Sequence, residues 1–238
     1  MDEEKRRLVR LPTGGDDRGR AASVKLKTAY KRTVSSQLWL ERQLNDPYVQ
    51  RAKAEGWRSR AAFKLIEIDD RFHLIHPGAR VVDLGAAPGG WVQVALKRGA
   101  KAVAGVDLLP IEPIAGAELI QADFTDPGVG DQLIARLGDA PDLVLSDMAH
   151  NTVGHQRTDH LKIIGLIEAA AEFAVETLRP GGAFVTKTFQ GGTVAEVLNR
   201  LKLSFRDVRH VKPKSSRADS SEVYLVARGL KPRVGEAV

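Results

Sequence analysis

From residue 80 onward, short unbroken apolar runs alternate with longer stretches whose apolar positions recur every three or four residues. Strands buried on both faces and joined by amphipathic helices produce this pattern. It predicts strands at residues 80–84, 102–107, 118–121, 143–146 and 183–188, and helices at 89–98, 131–137, 161–178 and 194–203. Arg179-Pro180-Gly181-Gly182 stops the long Ala-rich helix. Two more strands, at 205–211 and 222–227, have no helix between them and are expected to pair as an antiparallel hairpin at one edge. The prediction is an α/β fold: a doubly wound, Rossmann-like sheet of seven strands, mostly parallel, with an antiparallel last strand. Before residue 80 the spacing predicts helices over 37–44, 48–55 and 59–72. Ser36 is placed to cap the first, Asp46-Pro47 and Gly56 break the series, and Ala62, Phe63, Leu65, Ile66 and Ile68 form the apolar stripe of the third.

Charge narrows the choice of partner. Residues 1–60 hold 15 Lys/Arg against 8 Asp/Glu, whereas the rest of the chain holds 21 against 22, so the whole excess precedes the first ligand-type motif. Arg18 to Arg32 alone carries six basic residues and no acid. A basic extension on a near-neutral body points to an arm for a polyanion, with a solubilising tail as the alternative. The expected organisation is a flexible basic tail at 1–34, one domain at 35–232 and a short tail at 233–238. The 238 residues contain no cysteine, which removes disulfides, thiolate metal sites and a cysteine nucleophile together. There is no apolar run of membrane length and no apolar core in the charged first thirty residues, so a cytoplasmic protein without a membrane partner is expected. His150, His155 and His160 recur every five residues, which does not align them on one helix face, and no metal site is expected. Lys212, Lys214 and Arg217, in a polar loop, read either as phosphate contacts or as a solvated loop, and Arg58 and Arg60 extend the same candidate surface.

The stretch Val81-Val82-Asp83-Leu84-Gly85-Ala86-Ala87-Pro88-Gly89-Gly90-Trp91 is a strand, a turn of small residues and a helix start. In an open α/β sheet, ligands bind beyond the carboxyl ends of the strands, where this first turn belongs. Gly85, Gly89 and Gly90 allow the backbone to approach a ligand. A dinucleotide requires G-x-G-x-x-G, but Gly85 is followed by Ala86-Ala87. S-adenosylmethionine has no phosphate and needs carboxylates instead. Asp83 can face its amino group. Asp107, 24 residues later, is placed for the ribose hydroxyls, and Asp123, after the third strand, for the adenine amine. Three acids at three successive strand ends suit an adenosyl ligand with a cationic sulfonium, although a strand-end Asp can also serve only as a cap.

Methyl transfer to a ribose 2′-hydroxyl requires in-line approach and help in losing a proton. A lysine serves as the base only when partly neutral. Burial and a nearby cation favour that state, while a carboxylate opposes it but holds the amine in place. Lys187 is a charge within an apolar strand, and Asp147 follows the fourth strand, so both are strong candidates. Glu222 opens the last strand and Lys64 lies on an apolar helix, where a solvated position fits it equally well; as isolated residues both are weaker candidates.

The segments Tyr48-Val49-Gln50, Arg58 to Leu65, Val81 to Trp91, Val106 to Pro110, Leu145 to Ala149, Lys187 to Gly191 and Lys212 to Tyr224 together resemble the FtsJ-type (RrmJ-type) ribosomal RNA large-subunit ribose methyltransferases. The resemblance covers about residues 36–230. It implies a Lys64, Asp147, Lys187, Glu222 active site, with Lys187 as proton acceptor, Asp147 orienting it near the methyl group, and Lys64 and Glu222 positioning the ribose. It implies cofactor contacts at Gly89, Trp91, Asp107, Asp123 and Asp147, and a uridine of 23S rRNA within the large ribosomal subunit as substrate. A monomer without DNA as a partner is expected. Two features depart from the family. His150 stands where the family usually has proline, and the basic tail is longer. Another RNA acceptor, such as tRNA or an mRNA cap, remains open, as does a non-catalytic RNA-binding assembly factor. A dehydrogenase fits least.

Overall fold

A computed structural model describes residues 9–10, 25–26, 33–148, 156–189 and 195–232. His150, His155, Gly191 and the segment 233–238 lie outside these residues, as do the side chains of Ser36 and His160. The chain divides into two compact units, 1–60 and 61–238. The expected boundary between tail and domain, near residue 34, lies within the first of these units.

In the first unit, β1 (Val9–Arg10) and β2 (Lys25–Leu26) pair antiparallel, a feature absent from the sequence-based expectation. Helix α1 spans Val34–Leu44 and α2 spans Pro47–Glu55. Asp46 separates them because its carboxylate accepts the Tyr48 N–H at 3.0 Å, and Pro47 occupies the first turn of α2, where its missing N–H has no cost. The other oxygen of Asp46 receives Arg60 at 2.6 Å, and that guanidinium also lies 5.7 Å from the Tyr48 ring centre. Arg60, expected on an RNA surface, is thus engaged within its own unit.

The second unit begins with α3 (Ala62–Phe72), which starts three residues later than predicted. Its sheet comprises β3 (Arg80–Leu84), β4 (Ala102–Asp107), β5 (Ala117–Gln121), β6 (Leu143–Ser146), β7 (Ala183–Phe189), β8 (Phe205–Val211) and β9 (Glu222–Leu230). The order is β5-β4-β3-β6-β7-β9-β8. The first five strands in this order pair parallel. β9 runs antiparallel to both β7 and β8, so the last strand lies inside the sheet and β8 forms the edge. Helices α4 (Gly90–Lys97), α5 (Val129–Leu137), α6 (Gln156–Thr177) and α7 (Ala195–Ser204) cover the sheet.

The apolar runs are explained by burial on both faces. Val81, Val82, Leu143, Val144, Leu145, Phe184 and Val185 have no exposed surface. Leu133, Ala170, Ala174 and Leu201 of α5, α6 and α7 pack with Val82, Leu84, Val144, Phe184 and Leu225 into one core layer. Helices α3 and α4 cover the opposite face, where Trp91 meets Tyr224 at a ring separation of 5.7 Å. Strand order reverses between β3 and β6, and a crevice opens at such a switch point.

Candidate active site

At the carboxyl ends of β3, β4 and β6 lies a cavity of about 270 Å³, walled by Gly85, Ala87, Asp107, Leu109, Asp123, Asp147, Met148 and Leu166 among others. Gly85 has φ +81°, and a Cβ there would lie 2.9 Å from the backbone of Met148. The turn after β3 and the segment after β6 therefore approach each other as closely as glycine allows. Asp107 is pinned rather than free to swing, because its two carboxylate oxygens accept the N–H groups of Ala87 at 2.9 Å and Leu109 at 2.8 Å. Each oxygen retains a lone pair for a further donor. Asp123 accepts the N–H and hydroxyl of Thr125 at 2.9 and 2.6 Å, and these bonds hold its carboxyl below the usual range.

Asp83 differs from both. It is 1% exposed, and neither carboxylate oxygen has a hydrogen-bond partner. Burial, then the charges of Asp147 and Asp107, push its carboxyl well above the ordinary value. Asp83, Gly89 and Trp91 are not among the residues that wall the cavity. Gly89 takes φ +108° at the start of α4. Trp91 is buried and donates its indole N–H to the Ala61 carbonyl at 2.8 Å.

A polar cluster adjoins the cavity through Asp147. Residue 187 of β7 stands directly opposite Tyr224 of β9, and Glu222 lies two positions before Tyr224 on the same sheet face. Lys187 Nζ donates to the Asp147 carbonyl at 2.6 Å and lies 3.0 Å from its Oδ1. Across the cluster, Lys64 Nζ contacts the Glu222 carboxylate at 2.8 Å. All four side chains are mostly buried, between 9% and 18% exposed. Two carboxylates thus face two lysine amines, a pairing of opposite charge types that offsets the penalty of burial.

Tyr224 joins the two pairs. Its hydroxyl donates to Asp147 Oδ1 at 2.9 Å, and Lys64 Nζ lies 5.7 Å from its ring centre. Full burial, then the carboxylates of Asp147 and Glu222, raise its phenol well above the usual range, so it remains a donor. Sequence reasoning gave Tyr224 no role, although its period-two relation to Glu222 was available. Of the ten residues singled out in the sequence, Lys64, Asp147, Lys187 and Glu222 form this cluster. Gly85, Asp107, Asp123 and again Asp147 form the cavity wall.

A model of the FtsJ-like methyltransferase family matches residues 57–230. The chain is 59% identical to a ribosomal RNA large subunit methyltransferase E of Caulobacter vibrioides, over 95% of this chain and 100% of that one. It is 62% identical to the protein of the same name in Acidiphilium cryptum, over 90% and 95% respectively. A crystal structure from Plasmodium falciparum, provisionally named a ribosomal RNA methyltransferase, superposes with a TM-score of 0.65 at 30% identity, covering 74% of this chain and all of that one.

Proposed function

Because the chain belongs to the FtsJ-like methyltransferase family, we propose that it methylates the 2′-hydroxyl of a uridine ribose in 23S-type rRNA of the large ribosomal subunit, with S-adenosylmethionine as donor. The names of its relatives support the substrate class. The observation that carries the reading is the Lys187 amine held against Asp147, a residue that also walls the cavity.

The residues present fit the donor. Asp107 and Asp123 are rigid acceptors suited to ribose hydroxyls and an adenine amine, and the orphaned oxygens of Asp83 suit a cationic amino acid end, directly or through water. Bound there, S-adenosylmethionine supplies an electrophilic methyl group on a positively charged sulfur.

The chain's own residues then manage the acceptor. Lys187 takes the hydroxyl proton as the ribose oxygen becomes nucleophilic, so its amine is uncharged at that moment. Its aim is fixed by two contacts to Asp147, and Asp147 is fixed in turn by the Tyr224 hydroxyl and by its own N–H to the Leu84 carbonyl at 3.1 Å. Lys64 and Glu222 hold the ribose and keep the pocket near neutrality. The basic residues within 1–60 serve as a phosphate-binding arm. The protein works in the cytoplasm as a monomer.

Incubation with labelled S-adenosylmethionine and undermethylated large subunits, followed by mapping, tests this. One methylated uridine ribose is expected. Label on a base, on tRNA alone, or nowhere would defeat the reading.

A further inference from the structure

The segment between β8 and β9 is anchored to α3 by a residue that the mechanism above does not use. Glu67 accepts the backbone N–H of Lys214 at 2.5 Å and that of Ser215 at 3.0 Å, from 147 and 148 residues away in sequence. Its carboxylate is therefore committed to two successive amides of one turn. Ser215 and Ser216 of that turn are buried, and the Ser216 hydroxyl donates to Glu222 Oε1 at 2.9 Å. Glu222 receives Lys64, and Lys64 stands three residues from Glu67 on the same side of α3. The contacts thus close a ring: Lys64, helix, Glu67, turn, Ser216, Glu222 and back to Lys64. Farther along the segment, Lys212 Nζ donates to the Ser220 carbonyl at 2.7 Å, which closes the base of the loop. Lys212 and Lys214 are themselves exposed.

We propose that Glu67 is a positioning residue for the RNA acceptor: it clamps the 212–220 segment against α3, so that Lys212 and Lys214 meet backbone phosphate while the same ring sets the Lys64–Glu222 pair. The proposal rests on the methyltransferase reading of the site. A carboxylate suits the position, because its two oxygens bear no hydrogens and take the Lys214 and Ser215 N–H groups on separate atoms. A glutamine brings an N–H₂ that opposes one of them. Bonds to a charged acceptor are also the strong ones, and losing them frees the turn.

The test compares wild type with Glu67→Gln and Glu67→Ala. It uses steady-state kinetics on undermethylated large subunits, S-adenosylmethionine binding by calorimetry, and amide hydrogen exchange over residues 212–220. Both variants should raise KM for the subunit by about tenfold, with a smaller fall in kcat. Donor affinity should stay within about twofold of wild type, and exchange should quicken in 212–220 alone. Wild-type KM and exchange in both variants would overturn the proposal. So would donor affinity or global unfolding temperature dropping in parallel with KM in the isosteric Gln variant, since that marks a merely structural role. If wild type fails to methylate subunits, the functional reading falls by itself, while hydrogen exchange still decides whether Glu67 holds the turn.

Discussion

Lys187 sits among three groups from two residues, and each contributes differently. The Asp147 carbonyl fixes the direction of the amine, the Asp147 carboxylate balances its charge, and the Tyr224 hydroxyl keeps that carboxylate from turning away. Removing the amine removes the proposed proton acceptor, and Lys187 is not among the residues that wall the cavity. Lys187→Ala should therefore lower methyl transfer at least about a hundredfold while donor affinity, measured by calorimetry, is retained. Retained activity would show that another group takes the proton. Asp83 permits a different measurement. Its folded carboxyl is raised well above 3.8 by burial, so the stability it contributes is complete below that value and is lost as pH rises through the raised one. Without donor, wild type should lose melting temperature from acid toward neutral pH relative to Asp83→Asn. The variant should also bind S-adenosylmethionine more weakly. Parallel melting curves for the two proteins would show that Asp83 is solvated.

At the level of elements, the turn after β3 is held by close packing. An alanine at position 85 must adopt φ +81° and place a methyl group 2.9 Å from the Met148 backbone. Gly85→Ala should cost about 1–3 kcal/mol in urea unfolding and weaken donor binding further, because Met148 is displaced from the cavity wall. The sheet was legible because parallel strands such as β3 and β6 are apolar on both faces, and unbroken runs like Leu143-Val144-Leu145, too short for a helix, carry that signature. Lys187 was legible for the complementary reason, as a charge inside such a run. The start of α3 was less legible, because the helix-compatible residues Ser59 and Arg60 precede it and local propensity does not reveal where the turn ends. Glu67 and Tyr224 were not legible as site residues. One is an ordinary polar position on a helix and the other an ordinary aromatic in a strand, and their roles arise from contacts 147 and 77 residues away in sequence.

For the whole molecule, charge and chemistry are separated along the chain. Residues 1–32 hold ten Lys/Arg against five Asp/Glu, whereas the chain after residue 60 is close to neutral. On the proposed reading, the excess positive charge that would attract a polyanion lies in one part of the chain and the polar cluster and cavity in another. Deleting residues 1–32 should weaken rRNA affinity and flatten its dependence on salt, as fewer counterions are released, while donor affinity is unchanged. Filter binding at several salt concentrations measures this. An unaltered slope would make the segment a solubilising tail.

The position of β9 between β7 and β8 has a consequence for synthesis. β8 leaves the ribosome before the strand it must pair with, so it waits without a sheet partner until residues 222–230 have emerged. Glu222 and Tyr224 arrive on that same strand. A nascent chain therefore lacks the complete Lys64, Asp147, Lys187, Glu222 cluster until β9 inserts, and the same insertion covers the facing edges of β7 and β8.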